Sequence, residues 1–130
     1  MGLKVKTEQR SAGVEIISPI GSIRHNTYLI LENAVDAVLE NKPDVIIFDL
    51  EFLDYINSLG IRVLLRTKKA LKETGGKMVF MNLQPQIKKV FAILEALPSL
   101  KVFASIQELD QYLDTMQRAA RMQKIRNYDQ

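Results

Sequence analysis

The sequence predicts a single α/β domain, built as a mixed, largely parallel sheet of about five strands with about four helices packed on it. Short runs rich in β-branched and apolar residues alternate with longer stretches in which apolar residues recur at helical spacing. Strands separated by helices need crossover connections, and such connections join parallel strands. The chain has 130 residues, 47% of them hydrophobic and 25% charged, which is the size and composition of one soluble domain.

The first two predicted elements are strands. Residues 4–9 alternate weakly between polar and apolar side chains, Ser11-Ala12-Gly13 has turn chemistry, and residues 14–18 are rich in β-branched side chains. Pro19 has no backbone N–H, so we expect it at a strand end or at the edge of the sheet.

A helix is predicted from about Thr27, with Asn26 as its N-cap and Pro43 as its stop. Its apolar residues recur at helical spacing, and they are Tyr28, Leu31, Val35, Val38 and Leu39. Residues 45–50 then form an unbroken apolar run, typical of a central strand that is buried on both faces.

We expect a loop after this strand and a second helix from Leu59 to about Glu73, with Ser58 at its start. Gly75-Gly76 supplies a left-handed C-terminal stop. The helix has an apolar and a polar face, formed by Val63, Leu64, Thr67 and Leu71 and by Arg62, Arg66, Lys69 and Glu73 respectively.

The last part of the chain predicts two strands and two helices. A strand is expected over residues 78–83, a third helix from Pro85, and a short strand at Val102-Phe103. A capping box from Ser105 to Glu108 begins the final helix. Its inner face carries Leu109, Leu113, Met116 and Ala120.

Positive charge is concentrated at the C-terminal end of the sequence. We place the domain at residues 1–116 and a basic helical extension or tail at residues 117–130, with Arg118, Arg121, Lys124 and Arg126. Basic residues on one helix face are commonly a solvated surface, and they can also bind an acidic partner. The same two interpretations apply to Arg62, Arg66 and Lys69.

Composition excludes several classes of site. The chain has no cysteine, which excludes disulfides, thiolate metal sites and cysteine nucleophiles, and its one histidine, His25, excludes a two-histidine metal site. A net charge of +3 is too small to predict direct nucleic-acid binding. No apolar run predicts a membrane span or a secretion signal, so we expect a cytoplasmic protein without a cofactor.

Catalytic constellations are sparse. Asp49, Glu51 and Asp54 follow the central strand and can be imagined as a carboxylate pair, with His25 as a base. We interpret them as capping or solvent-exposed residues, because no nucleophile and base converge. We therefore expect no enzymatic activity, and a small hydrolase stays a minor alternative.

The segment around Ser58 is the most informative in the chain. Serine is a preferred N-cap, but Gly60 in the first turn of a helix costs roughly 0.5–1 kcal/mol relative to alanine. A glycine there is explained if something must approach the helix start closely. A phosphate on Ser58, held by free backbone N–H groups, is one such group.

This segment resembles the signature of STAS domains, the family of bacterial anti-sigma-factor antagonists and of sulfate-transporter cytoplasmic domains. The signature is a strand ending in Asp-Leu, a short apolar loop, and Asp-Ser-(Ser/Ala)-Gly-(Leu/Ile) before a helix. The matching residues are Asp49-Leu50, Leu53 to Ile56, and Asn57-Ser58-Leu59-Gly60-Ile61, and further matches are Gly21, Gly75-Gly76-Lys77 and residues 86–97. The resemblance covers roughly residues 5–115, and the combined pattern is more specific than its Ser-x-Gly part.

The resemblance implies a non-enzymatic switch in transcription regulation. In this family an anti-sigma-factor type serine kinase phosphorylates the serine at the helix start, and a serine phosphatase reverses it. The unmodified protein binds the kinase and releases a sigma factor or another target. The implied phosphorylation site is Ser58, and the implied partner-binding residues are Arg24, Asn57, Ser58, Leu59, Gly60, Arg62 and Arg66.

Two residues depart from the family pattern. Asn57 replaces the usual aspartate before the serine, and Arg24 replaces the aspartate of the family's Gly-x-Leu-Asp element. Both changes make the implied partner surface more positive. The alternative is a STAS scaffold or subunit that binds an ATPase, lipid-transport or transporter partner without phosphorylation. A homodimer is compatible with either function.

Overall fold

The computed structural model describes residues 2–96 and 104–129, in which strands and helices alternate along most of the chain. A hairpin comes first, and helices then separate most of the later strands. The elements are β1 (Leu3–Ser11), β2 (Val14–Ile23), α1 (Tyr28–Leu39), β3 (Val45–Asp49), β4 (Leu53–Ile56), α2 (Ser58–Glu73), β5 (Lys77–Met81), α3 (Pro85–Ala96) and α4 (Ile106–Asp129).

The sheet is mixed and mostly parallel, which confirms the predicted fold class. Its strand order is β1-β2-β3-β5, and β4 pairs with β2 beside this path. Among the strands that the structure describes, only the β1–β2 hairpin is antiparallel, and the β2–β3, β3–β5 and β2–β4 pairs are parallel.

Strand β2 changes its neighbour along its length. Residues 14–17 pair with β3, and residues 21–23 pair with β4. Pro19 lies between the two pairings, so its missing N–H removes no bond from either parallel ladder. Pro19 lies inside β2, opposite Val5 of β1, so the prediction that it lies at a strand end or sheet edge was wrong. The side of β2 that faces β3 and β4 is unpaired at this residue and tolerates a proline.

The helices pack against one face of the sheet, where the core lies. Ile46 and Phe48 of β3 are fully buried, and the Phe48 and Phe80 rings stack with centroids 5.6 Å apart. Val45 and Ile47, on the other face, are only half-buried, so burial of this strand on both faces was a wrong prediction. From β2 to β3 to β5, each later strand lies farther along the sheet in the same direction. Right-handed crossovers between such strands place α1 and α2 on the same face of the sheet.

Several boundaries differ from the sequence prediction. The expected loop after β3 contains the four-residue strand β4, which the sequence analysis missed. The N-cap of α1 is Thr27, not Asn26; its hydroxyl donates to the carbonyl of Ser22 and accepts from the Arg24 N–H. The strand predicted at Val102-Phe103 lies outside the described residues.

Helix α4 is a continuous helix of 24 residues, and the boundary proposed between residues 116 and 117 falls inside it. The Ser105 hydroxyl accepts from the Glu108 N–H at 3.1 Å, as the predicted capping box requires. Gln117 and Ala120 are both buried, so the contacts of α4 with the domain continue past that boundary.

Candidate functional site

The pairing of β2 with β4 brings the predicted site residues of both strand ends together. Ile23 pairs with Ile56, and the Asn57 N–H donates to the Ile23 carbonyl at 3.1 Å. Arg24 directly follows Ile23, and Ser58 lies two residues after Ile56. Two segments more than 30 residues apart in sequence thus meet at the carboxyl ends of parallel strands, where loops commonly carry function.

Asn57 caps helix α2. Its backbone is extended, and its side-chain Oδ1 accepts hydrogen bonds from the N–H groups of Leu59 at 3.1 Å and Gly60 at 3.2 Å. These bonds satisfy two of the helix's first N–H groups. Ser58 is the first helical residue and not the cap, which corrects the interpretation drawn from serine's N-cap preference.

Gly60 packs against the core at the point where α2 crosses β2 and β4. A Cβ atom at this position would lie 2.6 Å from Cγ2 of Ile23 and 2.7 Å from Cγ1 of Ile56. Something does approach the helix start closely, as the sequence suggested, but it is a pair of buried isoleucines. Gly60 is buried and contributes to the site by letting α2 sit close to the sheet.

Ser58 is held by its backbone and not by its side chain. Its N–H donates to Asp110 Oδ1 of α4 at 2.8 Å. The residue is 5% exposed, and its Oγ is buried with no hydrogen-bond partner among the described residues. The hydroxyl therefore lies at the start of α2, on a residue whose backbone N–H bonds to α4, and makes no hydrogen bond with the described residues.

A second polar contact fixes α4 beside β4. The Ile56 N–H donates to Gln117 Oε1 at 3.0 Å, and Gln117 Nε2 donates to the Ile56 carbonyl at 2.8 Å. Gln117 Nε2 also donates to the Leu113 carbonyl within α4. Asp110 and Gln117 thus contact the backbone on both sides of Asn57.

Arg24 lies over an aromatic ring of β4. Its guanidinium carbon is 3.9 Å from the centroid of the Tyr55 ring, a cation–π geometry. Burial raises the pKa of the Tyr55 hydroxyl to about 12, and the charge of Asp114 and a hydrogen bond with it act in the same direction. Arg24 itself is exposed, so its charge remains available at the surface.

The two arginines predicted on α2 differ in their surroundings. Arg66 Nη2 lies 3.1 Å from Asp36 Oδ1 and 3.5 Å from Glu32 Oε1, both on α1. Its charge is largely balanced within the protein. Arg62 is exposed and lines a shallow groove between α1 and α2 together with Tyr28 and Leu59. The structure therefore leaves Arg62 as the stronger candidate for contact with a partner.

The carboxylates considered for catalysis do not form one cluster of shared bonds. Asp49 Oδ1 accepts from the Glu51 N–H and from the Asn82 side chain, at the turn after β3. Asp54 accepts instead from the Ser22 hydroxyl at 3.4 Å. His25 is exposed in the loop before α1. These residues serve turns and strand ends, as their capping interpretation predicts.

Sequence reasoning missed three site residues. Tyr55 was placed in a loop, and Asp110 and Gln117 were not singled out. A signal was present: Asp110 and Gln117 are seven residues apart, so they share a helix face with the buried Leu113. Polar residues within an apolar helical stripe indicate a buried polar contact.

Comparisons with known proteins agree on the family. Residues 6–109 match the model of the STAS domain. BtrV of Bordetella bronchiseptica, named as an anti-sigma factor antagonist, is 36% identical over 63 residues, which are 48% of this chain and 54% of BtrV. The match thus spans about half the length of that curated relative. Within the described residues no helix is both long and apolar enough to cross a membrane.

Solved structures show the same fold. The anti-sigma factor antagonist SpoIIAA in its unphosphorylated form superposes with a TM-score of 0.60 at 21% identity, covering 69% of this chain and 83% of SpoIIAA. An anti-sigma factor antagonist from Mycobacterium paratuberculosis superposes with a TM-score of 0.60 at 22% identity, covering 92% of this chain and 95% of that one. The family model spans most of the sequence, and the chain belongs to the STAS domain family.

Proposed function

We propose that this STAS domain is an anti-sigma-factor antagonist that binds an anti-sigma-factor type serine kinase and is switched by phosphorylation of Ser58. A serine phosphatase restores the unmodified form. The observation that carries the proposal is the Ser58 hydroxyl, which is buried at the start of α2 and has no partner among the described residues. A buried hydroxyl without a partner costs stability, and alanine would avoid that cost. Its presence is explained if the hydroxyl is needed for chemistry.

The relatives give independent support. BtrV carries the name of an anti-sigma factor antagonist, and SpoIIAA of Bacillus has been solved in unphosphorylated and phosphorylated forms. Ser58 lies in the segment of this chain that resembles the family signature.

We place the partner surface at the adjoining ends of β2 and β4 and the first turns of α2. Arg24 and Arg62 supply exposed positive charge on this surface, and Leu59 supplies apolar contact area beside Arg62. A partner with acidic side chains fits such a surface best, because opposite charges speed association and set orientation. A phosphate would add about 1.5 to 2 negative charges to the same surface and change its sign locally.

Binding of Ser58 variants to the cognate kinase tests this proposal. Ser58→Asp should weaken binding by roughly 2–5 kcal/mol, about 30-fold or more, because a charge is placed in a contact that must lose water. Ser58→Ala, which keeps the surface uncharged, should bind like the unmodified protein. The measurement is a titration of each variant with thermal melts alongside. Equal affinity of a folded Ser58→Asp protein would contradict the switch.

A second function is supported by a specific observation. Asn57 and Arg24 stand where the family usually has aspartates, so contacts that depend on those carboxylates are absent. This favours a STAS scaffold that binds an ATPase or transporter partner without phosphorylation. The intact mass of the protein purified from its native cell separates the two: an added phosphate mapped to Ser58 supports the switch, and its absence under all growth conditions supports the scaffold.

A further inference from the structure

We propose that helix α4 is a gate over Ser58: in the docked position it shields the hydroxyl from the kinase, and a phosphate on Ser58 holds it away. The gate rests on the proposed switch at Ser58 and adds its regulation. It makes the last helix of the chain a second determinant of when the protein can be modified and bound.

The nucleophile of the proposed phosphorylation, Ser58 Oγ, is buried. Ser58 Oγ must form a bond to the γ-phosphorus of ATP while the bond from that phosphorus to the ADP oxygen breaks, and the hydroxyl proton passes to the kinase's general base. The reacting atoms must approach to about 3–3.5 Å in line. Ser58 is 5% exposed and its Oγ is buried, so no phosphoryl donor reaches it in this arrangement.

Two side chains hold α4 next to Ser58. Asp110 and Gln117 of α4 bond to the backbones of Ser58 and Ile56, the residues on either side of the N-cap. No other described side chain bonds to either of these two residues. Displacement of α4 breaks these three hydrogen bonds and the Tyr55–Asp114 hydrogen bond and exposes the buried Leu109 and Leu113, but it leaves the Asn57 cap of α2 in place.

A phosphate on Ser58 and the Asp110 carboxylate of α4 would lie at the same helix start. The Asp110 carboxylate already occupies the position where the N-terminus of α2 favours an anion. A phosphate on the adjacent hydroxyl brings about 1.5 to 2 further negative charges and three acceptor oxygens to the same N–H group. The two anions repel each other and compete for one donor. Docked α4 and phosphorylated Ser58 therefore exclude each other, and by linkage each state opposes the other to the same extent.

The absence of cysteine from the chain provides a direct test that needs no kinase. Ser58→Cys introduces a single thiol at the gated position, and its rate of reaction with N-ethylmaleimide reports exposure. We expect it to react at least about tenfold more slowly than a thiol introduced by Ser11→Cys, since Ser11 is exposed in the β1–β2 hairpin. Adding Gln117→Ala to Ser58→Cys should raise its rate by about tenfold, because the bonds to Ile56 are lost.

Arg118→Ala is the matched control. Arg118 is on the same helix, its side chain is 79% exposed, and its ion pair is with Asp114 one turn away in α4. This substitution should leave the labelling rate of Ser58→Cys unchanged. A urea titration confirms that each protein is folded, and Asp110→Ala replaces Gln117→Ala if the latter does not fold. Rapid labelling of Ser58→Cys in the otherwise unaltered chain, or an unchanged rate in folded gate variants, overturns the gate.

The effect of a negative charge at residue 58 on the docking of α4 can be measured separately. Hydrogen exchange at the Ile56 amide, which donates to Gln117, should be faster in Ser58→Glu than in Ser58→Ala, while amides in α1 are unaffected. Equal protection in the two variants contradicts mutual exclusion. A cognate kinase that modifies neither the unaltered protein nor Gln117→Ala contradicts the proposed switch, whereas the labelling and exchange results decide the gate by themselves.

Discussion

Asn57 and Ser58 are adjacent and similarly buried, yet they contribute to the fold in opposite ways. Asn57 accepts two hydrogen bonds from the first turn of α2, and Ser58 accepts none with its side chain among the described residues. Side-chain burial alone gives no indication of this difference. The distinction between the residue that caps a helix and the residue that follows it decides which of the two side chains is needed by the fold.

Substitution by alanine should separate the two roles. Asn57→Ala should lower the free energy of unfolding by about 1–2 kcal/mol, since the cap is lost. Ser58→Ala should leave it within about 0.5 kcal/mol or raise it, because a buried hydroxyl without a partner is removed. Urea denaturation of both proteins measures the difference. A loss of stability in Ser58→Ala as large as that in Asn57→Ala would show that the hydroxyl has a structural partner.

Gly60 shows how far sequence reasoning reaches at this scale. Its position in the first turn of a helix indicates a close approach, and the structure confirms one. The identity of the approaching group was beyond the sequence, because Ile23 and Ile56 meet Gly60 only through the pairing of β2 with β4. A local pattern can indicate crowding at a residue, while the neighbours that cause it are set by tertiary contacts.

At the scale of elements, β4 and α4 were the hardest to predict. Strand β4 has four residues, and its Asp54 and Tyr55 are half-buried, so it lacks the apolar alternation that identifies a strand. Helices α1 and α2 and strands β3 and β5 carry strong periodic signals and were predicted with small errors at their ends. The helical pattern of α4 was also predicted, but periodicity gives no indication that Gln117 bonds to β4 and Asp110 to the start of α2.

The contact of β4 with α4 includes a titratable group, which gives a pH prediction. The pKa of Tyr55 is about 12 in the folded protein against an ordinary value of 10.0, so the folded state holds this proton more tightly than the unfolded chain does. The resulting stabilisation is fully present below pH 10 and is lost as the pH rises toward 12.

Tyr55→Phe should remove this component. Between about pH 10 and pH 12 the free energy of unfolding should fall more steeply in the unaltered protein than in Tyr55→Phe, because lysine titration is common to both. Urea titrations at several pH values measure the two slopes. Parallel slopes would indicate that Tyr55 titrates in the folded protein as it does in the unfolded chain.

At the scale of the whole molecule, the fold class followed from the sequence, and the extent of the domain stays a prediction. The family model ends at residue 109, and the charge pattern suggested a tail after residue 116. Helix α4 continues through both points with Gln117 and Ala120 buried. The change in charge therefore does not coincide with the end of an element, because one helix carries both exposed basic residues and buried contacts.

Two truncations should therefore behave differently. A chain that ends after Met122 keeps the buried contacts of Gln117 and Ala120, and its free energy of unfolding should change by less than about 1 kcal/mol. A chain that ends after Met116 loses both residues and should be less stable by about 2–4 kcal/mol, through lost hydrogen bonds and apolar burial. Denaturant titration of the two proteins measures this difference. Equal stability would mean that residues 117–122 contribute nothing to the domain.

The bonds between Gln117 and Ile56 have a consequence for association between chains. Strand β4 pairs with β2 on one side, and a glutamine side chain takes the place of a neighbouring strand on the other. Gln86 of α3 does the same for the carbonyl of Asp54. A strand with unpaired N–H and C=O groups is a template for another chain. When α4 is displaced or deleted, the N–H and C=O groups of Ile56 lose their partner and β4 acquires such an edge. The chain that ends after Met116 should therefore form dimers and larger species as its concentration rises.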